Sequence, residues 1–347
     1  MSSRSPEGPP PRFRFGRTAI FALVCCVCIA GAFGYTLLAA SRSGASRQAP
    51  VDVASSSSLA AVASQPHLVF VDGSSQHVAL VPLDAPDSPR SLTSLACQRV
   101  YFAADQGLCL GPNGLGVVDS GTYSFDANFQ VTHTYPEQGL PSRVRLSPAG
   151  KLGATTVFVA GDSYNSTGFS TRTTLLDTHN GVALDDLENF STFFNGRPFQ
   201  SVDFNYWGVT FANDNDTFYA TLSTNGHTYL VRGTSEGSAE IVRENAECPS
   251  LSPDNTRLVF KKRISDDPLV WRLAVIDVAT LTETWAGTET RSVDDQVEWL
   301  DNDDILYGVQ DPTTGQTDIW TEPLDGSAQP RMFLANASSP AVVGAAS

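Results

Sequence analysis

Chemistry in this chain would have to come from its histidines, its acidic turns or a serine between glycines. The five histidines stand at 67, 77, 133, 179 and 227. None forms the H-x-x-x-H pair of a zinc site, and no cysteine is placed to complete one. Two turns, Asn213-Asp-Asn-Asp216 and Asp301-Asn-Asp-Asp304, gather oxygen ligands of the kind calcium takes. Neither has the glycine at loop position six or the glutamate at twelve that an EF-hand requires, so both read as solvated hairpin turns. Gly233-Thr-Ser235-Glu-Gly237 matches the G-x-S-x-G nucleophile elbow. That elbow sits between a strand and a helix. The next residues, Ser238 to Arg243, alternate as a strand does, so the two glycines serve a hairpin. Gly161-Asp-Ser163 is a looser match in a turn-rich stretch. The residues predict no catalytic constellation, no metal set and no cofactor; the protein is expected not to be an enzyme.

The elements that would carry any site are strands. After residue 66 helical periodicity is almost absent, and short runs rich in β-branched and aromatic residues are bounded by Pro, Asp, Asn, Ser and Gly. With 347 residues and 41% hydrophobic content the chain can bury a sizeable core. Charge is asymmetric: residues 1–47 hold six arginines against one glutamate, while the remainder holds 16 basic and 36 acidic side chains, a net charge of −20. A domain that acidic repels phosphate backbones, which excludes nucleic acid as a partner.

Residues Thr18 to Ala40 form 23 consecutive positions without a formal charge, long enough to span a bilayer as a helix. Arg12, Arg14 and Arg17 precede the span and outnumber Arg42 and Arg47 after it, which places the N-terminus in the cytoplasm. The apolar run exceeds a signal-peptide core, and Leu38-Ala39-Ala40 is a poor cleavage site, so an uncleaved anchor in the plasma membrane is expected. The organisation expected is therefore a basic cytoplasmic tail (1–17), a single transmembrane helix (18–40), a flexible Ala/Ser-rich tether (41–66) and an extracytoplasmic domain (67–347).

That domain repeats. The unit Cys248 to Val278 contains a Ser252-Pro-Asp-Asn turn, the run Leu258-Val-Phe260, a polar hairpin and a second strand ending at Asp277. Weaker copies place apolar anchors at Phe70, Leu110, near Val157, Tyr219, Phe260 and Tyr307, in steps of 40 to 47 residues apart from a longer one across the third unit. The longer step is attributed to an insertion, Leu184 to Pro198. Six units of this length predict an all-β fold, a six-bladed β-propeller, with a β-sandwich as the alternative. The leftover Ser339-Pro-Ala-Val-Val343 is placed to complete the first blade.

The Ser252-Pro253-Asp254-Asn255 turn with its following strand, the weaker Ser147-Pro148-Ala-Gly-Lys151, and the trailing Ala274-Val-Ile-Asp277 and Leu175-Leu-Asp177 resemble the TolB-type propeller repeat. The resemblance covers residues 67–345, with the motif clear only in the third and fifth units. Asn255 stands where the repeat usually has glycine, and asparagine tolerates the left-handed conformation such a turn needs. TolB carries an α/β domain before its propeller, whereas a tether holds that place in this chain, which looks closer to membrane-anchored TolB-like proteins of actinobacteria. The six-blade count agrees with the family.

Cys97 and Cys109 are the nearest extracytoplasmic cysteines and are expected to pair, with Cys248 free; Cys97 with Cys248 would have to link blades that are not neighbours. The run Lys261-Lys-Arg263 reads as a solvated turn neutralised by Asp266 and Asp267. The function expected is an anchored module that binds or scaffolds an envelope protein or cell-surface ligand, with Phe190, Phe193 and Phe194 of the insertion as contact residues. The alternative is a propeller enzyme or sensor acting on surface glycan or peptide through channel carboxylates.

Overall fold

A computed structural model describes residues 53–112, 120–137, 139–159 and 170–344. The proposed tail and span, residues 1–40, the first part of the tether and Gly161-Asp-Ser163 lie outside the described residues. Among those described, no helix is long and apolar enough to cross a membrane.

Six sheets, antiparallel except for one added pair, follow one another along the chain. Blade one contains β1 (His67–Asp72), β2 (His77–Pro82) and β3 (Ser91–Ala96); blade two is β4 (Arg99–Ala103), β5 (Gln106–Pro112), β6 (Ser120–Asp126) and β7 (Val131–Tyr135). Blade three is β8 (Leu140–Leu146), β9 (Leu152–Val159), β10 (Ser170–Asp177) and β11 (Val182–Asp186). A hairpin, β12 (Ser191–Phe194) and β13 (Arg197–Pro198), precedes blade four, which is β14 (Asn205–Phe211), β15 (Phe218–Thr224), β16 (His227–Thr234) and β17 (Ser238–Glu244). Blade five is β18 (Glu247–Leu251), β19 (Arg257–Asp266), β20 (Leu269–Asp277) and β21 (Glu283–Trp285). Blade six is β22 (Glu298–Trp299), β23 (Asp304–Gln310), β24 (Thr317–Pro323) and β25 (Arg331–Leu334). The last strand, β26 (Ala337–Val343), pairs with β1 and becomes the innermost strand of blade one. The ring is thus closed by the terminal run that the six repeats leave over.

Alternation explains why both faces of a blade are apolar. In β1, Leu68 and Phe70 pack toward blade six, while Val69 and Val71 pack toward blade two. A similar division recurs round the ring, and the core consists of six clusters, one at each junction between blades. Each strand side therefore buries its apolar area against a neighbouring blade, the period-two rule applied twice.

Turns between the first two strands of blades three to six are tied to one another. In the Ser-Pro turns, Ser147 Oγ accepts from Leu152 N at 3.1 Å and Ser252 Oγ accepts from Arg257 N at 2.9 Å. Gly150, Asn215 and Asn255 take the left-handed conformation, with φ of 67°, 59° and 61°. Their geometry frees the asparagine amides to reach the next blade. Ala149 N donates to Asn215 Oδ1 at 2.7 Å, Asn213 N to Asn255 Oδ1 at 2.8 Å, and Asp254 N to Asn302 Oδ1 at 3.2 Å. The acidic turns serve the same scaffold: Asp214 Oδ1 and Asp301 Oδ1 each accept two backbone N–H groups of their own turn.

Several expectations change. Within 41–66, Ser56–Ala63 is helix α1, capped by Ser55. Leu59 and Val62 pack against the cluster between blades one and two, because small residues alternate there with apolar ones at helical spacing. The insertion begins later than Leu184, since β11 belongs to blade three. Its hairpin adds two strands to the outer edge of blade four, β12 running parallel to β17, and covers an edge that would otherwise expose unpaired backbone. Phe190, an expected contact residue, lies inside the fold. It is buried against Phe218, ring centroids 6.0 Å apart. Cys97, just after β3, and Cys109, in β5, form a disulfide, and Cys248 is free and buried.

Glu188, buried between blades three and four, accepts from Thr173 N and Tyr206 N at 3.1 Å each. Burial, reinforced by Asp186, outweighs these donors and pushes its carboxyl up to about 8. A carboxyl raised in the folded state contributes stability below its ordinary value of 4.5, and that contribution is lost as pH rises through about 8. The thermal midpoint of the wild type should therefore fall across this window, and Glu188→Gln should flatten the fall; an unchanged slope in the variant would remove Glu188 as its cause. Truncation after Leu334 deletes β26 and exposes the β1 edge. Cooperative unfolding, followed by near-ultraviolet circular dichroism, should be lost.

Candidate functional site

The innermost strands β26, β4, β8, β14, β18 and β22 surround the channel. Four of them begin at one mouth, with Arg99, Leu140, Asn205 and Glu247 as their first residues. This mouth holds a cavity of about 780 Å³; the opposite mouth, lined by the Ser-Pro turns together with Val342 and Gly344, holds about 250 Å³. A smaller cavity of about 30 Å³ is lined by Tyr101, Arg143, Arg145 and Gln296 of the inner wall.

A cross-channel ion pair closes the middle. Arg145 of β8 reaches Glu298 of β22, in the blade directly opposite, and both side chains are buried. Arg145 also donates to Val297 O at 2.9 Å and lies over the ring of Tyr101, 4.5 Å from its centroid. Tyr101 OH and Val342 N donate to Glu298 Oε1 at 3.3 and 3.2 Å. Blades one, two, three and six thus meet at one carboxylate. Burial works against the charge of Arg145, but Tyr101 and Glu298 outweigh it and its pKa is raised; burial and then Glu298 push the Tyr101 phenol up to about 12. Beside this pair, Gln296 Nε2 donates to Val209 O and Pro249 O, at 2.9 and 2.8 Å, fastening blades four and five.

One layer nearer the wide mouth, Arg143 and Asp294 come to the channel. Asp294 accepts from Lys261 Nζ at 2.5 Å and stands 3.7 Å from Arg143 Nη2. Asp294 keeps an exposed side chain but loses water on its protein side, which would raise its carboxyl; Lys261, Arg143 and Arg99 outweigh this and hold it below its usual range. Lys261 is buried, its ammonium 4.3 Å from the ring centre of Trp271, and Arg263 pairs with Glu247 at 3.0 Å. The basic run Lys261 to Arg263 is therefore not a solvated turn. It lies within β19, and two of its three cations line the cavity.

Backbone irregularities fall at this mouth. Bulges interrupt β8 between Pro141 and Arg143, β14 between Trp207 and Thr210, and β18 between Glu247 and Ser250. At the last, Cys248 has a φ of 48°, and Gly208 lies so close that a Cβ there would stand 2.7 Å from Cys248 Cα. Bulges of this kind re-aim side chains at a barrel or propeller rim. Leu140, Phe158 and Leu269 expose apolar surface around this mouth.

The expected contact residues are not brought here. Phe193 is partly buried in a groove on the outer wall between blades four and five, and Phe194 is exposed and packs edge-on to Phe199. Ser147, Pro148, Ser252 and Pro253 lie at the narrow mouth, with Pro148, Ser252 and Pro253 lining its cavity. Ser235 of the G-x-S-x-G stretch closes the β16–β17 hairpin and donates to Asp216 at 2.5 Å. The site escapes a reading of the sequence because Arg143-Val-Arg145 alternates as a strand with one wet face does, and Asp294-Asp-Gln-Val-Glu298 is a polar run outside any strand until Glu298.

The solved structure of TolB from Acinetobacter baumannii superimposes with a TM-score of 0.56 at 14% identity, covering 80% of this chain and 66% of that one. The fold is a TolB-like propeller. This chain spans just under two thirds of the Acinetobacter protein's length. A TolB-related structure from Agrobacterium tumefaciens aligns with a TM-score of 0.47 at 12% identity, over 79% of this chain and 91% of that one. No family model matches the sequence, and no curated protein matches it.

Breaking the cross-channel pair leaves an uncompensated buried charge, whereas replacing both partners does not. Arg145→Met should cost about 3–5 kcal/mol in urea unfolding, and Arg145→Met with Glu298→Leu should recover most of it. Additive losses in the double variant would show that the two do not act as a pair.

Proposed function

We propose that the protein is a membrane-anchored, extracytoplasmic binding module that engages an envelope protein through the wide mouth of its propeller. The observation that carries this reading is the closed-bottomed cavity, rimmed by exposed apolar side chains and set on a scaffold of fastened inner strands. A rigid concave surface with apolar edges and a few fixed polar groups suits recognition. The carboxylates near the channel support binding over acid–base chemistry. Glu298 is held by Arg145, Asp294 by Lys261, Glu247 by Arg263, and Asp295 accepts from Gly308 N at 3.0 Å and Gln296 N at 2.9 Å. Two carboxyl groups flanking open space, which hydrolysis of a glycosidic bond would use, are not formed by these four. The uninterrupted apolar run Thr18 to Ala40 and its upstream arginines support the anchor and the orientation.

Photo-crosslinking groups placed at Phe158 and Leu269 of the wide mouth, in full-length protein in intact cells, should capture one protein reproducibly. The same groups at Leu281 and Val131, exposed in hairpins between outer strands, should not. Capture from the second pair alone would overturn the assignment of the mouth. Fractionation that left the full-length protein soluble would overturn the anchor.

A further inference from the structure

We propose that the wide mouth receives a short acidic peptide segment flanked by apolar residues, its carboxylate seated between Arg99, Arg143 and Lys261. This rests on the reading of the mouth as the binding face and adds the chemistry of what enters it.

The cavity is lined by four cations, Arg99, Arg143, Lys261 and Arg263, and three carboxylates, Asp203, Glu247 and Asp294. In a domain with a large negative net charge this excess is local and reversed in sign. Two of the three carboxylates have other duties. Asp203 accepts from Ser201 Oγ, Thr224 Oγ1 and Asn225 N, at 2.6, 2.5 and 2.7 Å, and Glu247 is taken by Arg263. Asp294 alone faces both Lys261 and Arg143, and its side chain is 65% exposed.

Arg99 and Arg143 converge on one oxygen: Arg99 Nε and Arg143 Nη1 donate to Ser142 O at 2.7 and 2.9 Å. Among the described residues, no ion pair holds Arg99. Two guanidinium groups this close repel, and in keeping with that, burial and then Arg143 lower the pKa of Arg99, offset only in part by Asp295 and Asp294. A carboxylate entering from the cavity relieves the repulsion and matches the planar fork of either arginine.

The rest of the surface selects among anions. Long polyanions such as nucleic acid or acidic glycan meet the field of the acidic domain before they reach the mouth. A short segment with one or two carboxylates meets little of that repulsion. Leu140, Phe158 and Leu269 at the rim and Trp271 on the wall offer apolar surface that a peptide's neighbouring side chains cover and a sugar chain does not.

The test uses the full-length chain and a fluorescein-labelled peptide with Asp-Glu-Asp set between leucine and phenylalanine. Its Asn-Gln-Asn counterpart and an oligogalacturonate are the comparisons, and anisotropy is the readout. The acidic peptide should bind about tenfold more tightly than the amide, and the preference should shrink with salt. Arg143→Gln should abolish the preference. Asp294→Asn, which removes the resident competitor, should tighten the acidic peptide by a few fold, a gain that misfolding does not produce. Leu269→Ser should weaken both peptides alike.

Equal binding of the two peptides, with Leu269→Ser weakening both, would overturn the acidic assignment and leave the mouth as the binding face. Binding of neither, together with crosslinked capture only outside the mouth, would overturn both. Tighter binding of the oligogalacturonate than of the acidic peptide would overturn the peptide class, and looser binding by Asp294→Asn would overturn the seat of the carboxylate.

Discussion

The buried pair of Arg145 and Glu298 is the contact on which the architecture of the channel depends. A propeller is a ring of sheets, and each sheet packs only on its two neighbours. Contacts across the diameter are the exception. Here the exception is a buried ion pair between opposite blades, to which Tyr101, Val297 and Val342 add hydrogen bonds. It fixes the distance across the ring and closes the channel. Everything toward the wide mouth is therefore a cup with a floor.

The ring itself is held differently at its two faces. At the narrow mouth, the left-handed Asn215 and Asn255, together with Asn302, pass hydrogen bonds between the turns of blades three to six. At the wide mouth, bulges interrupt the inner strands that carry Arg143 and Trp207, while Lys261 reaches the cavity from β19. One face is thus specialised for register and the other for display. A loss of regular pairing beside a pocket, offset by tight coupling elsewhere, is how folds commonly carry a site.

Much of this is legible in the residues. Six apolar anchors at near-constant steps reflect blades that bury both faces, so the count survives even where the Ser-Pro-Asp turn has decayed. Asn255 can be read as left-handed because few other side chains tolerate that backbone. The leftover run ending at Val343 can be read as the closing strand because an open propeller exposes two edges. The site is harder to read. Arginines at 143 and 145 alternate with apolar residues as they would on a strand facing water, and nothing local distinguishes a channel from solvent. Phe190 misleads for the converse reason: an aromatic in an insertion looks exposed until the insertion is seen to lie on its own blade. Lys261 is masked by Asp266 and Asp267, which are close in sequence, while its partner Asp294 is not.

Closure by β26 also decides how the domain answers to force. His67 stands opposite Val343, so the first residue of β1 and the last of β26 leave the ring side by side at the narrow mouth. Tension that separates these two ends would peel the strands apart one pair at a time, the weakest way to load a sheet. Tension applied between residue 67 and the rim of the wide mouth would run along the strands instead, and share the load among all their pairs at once.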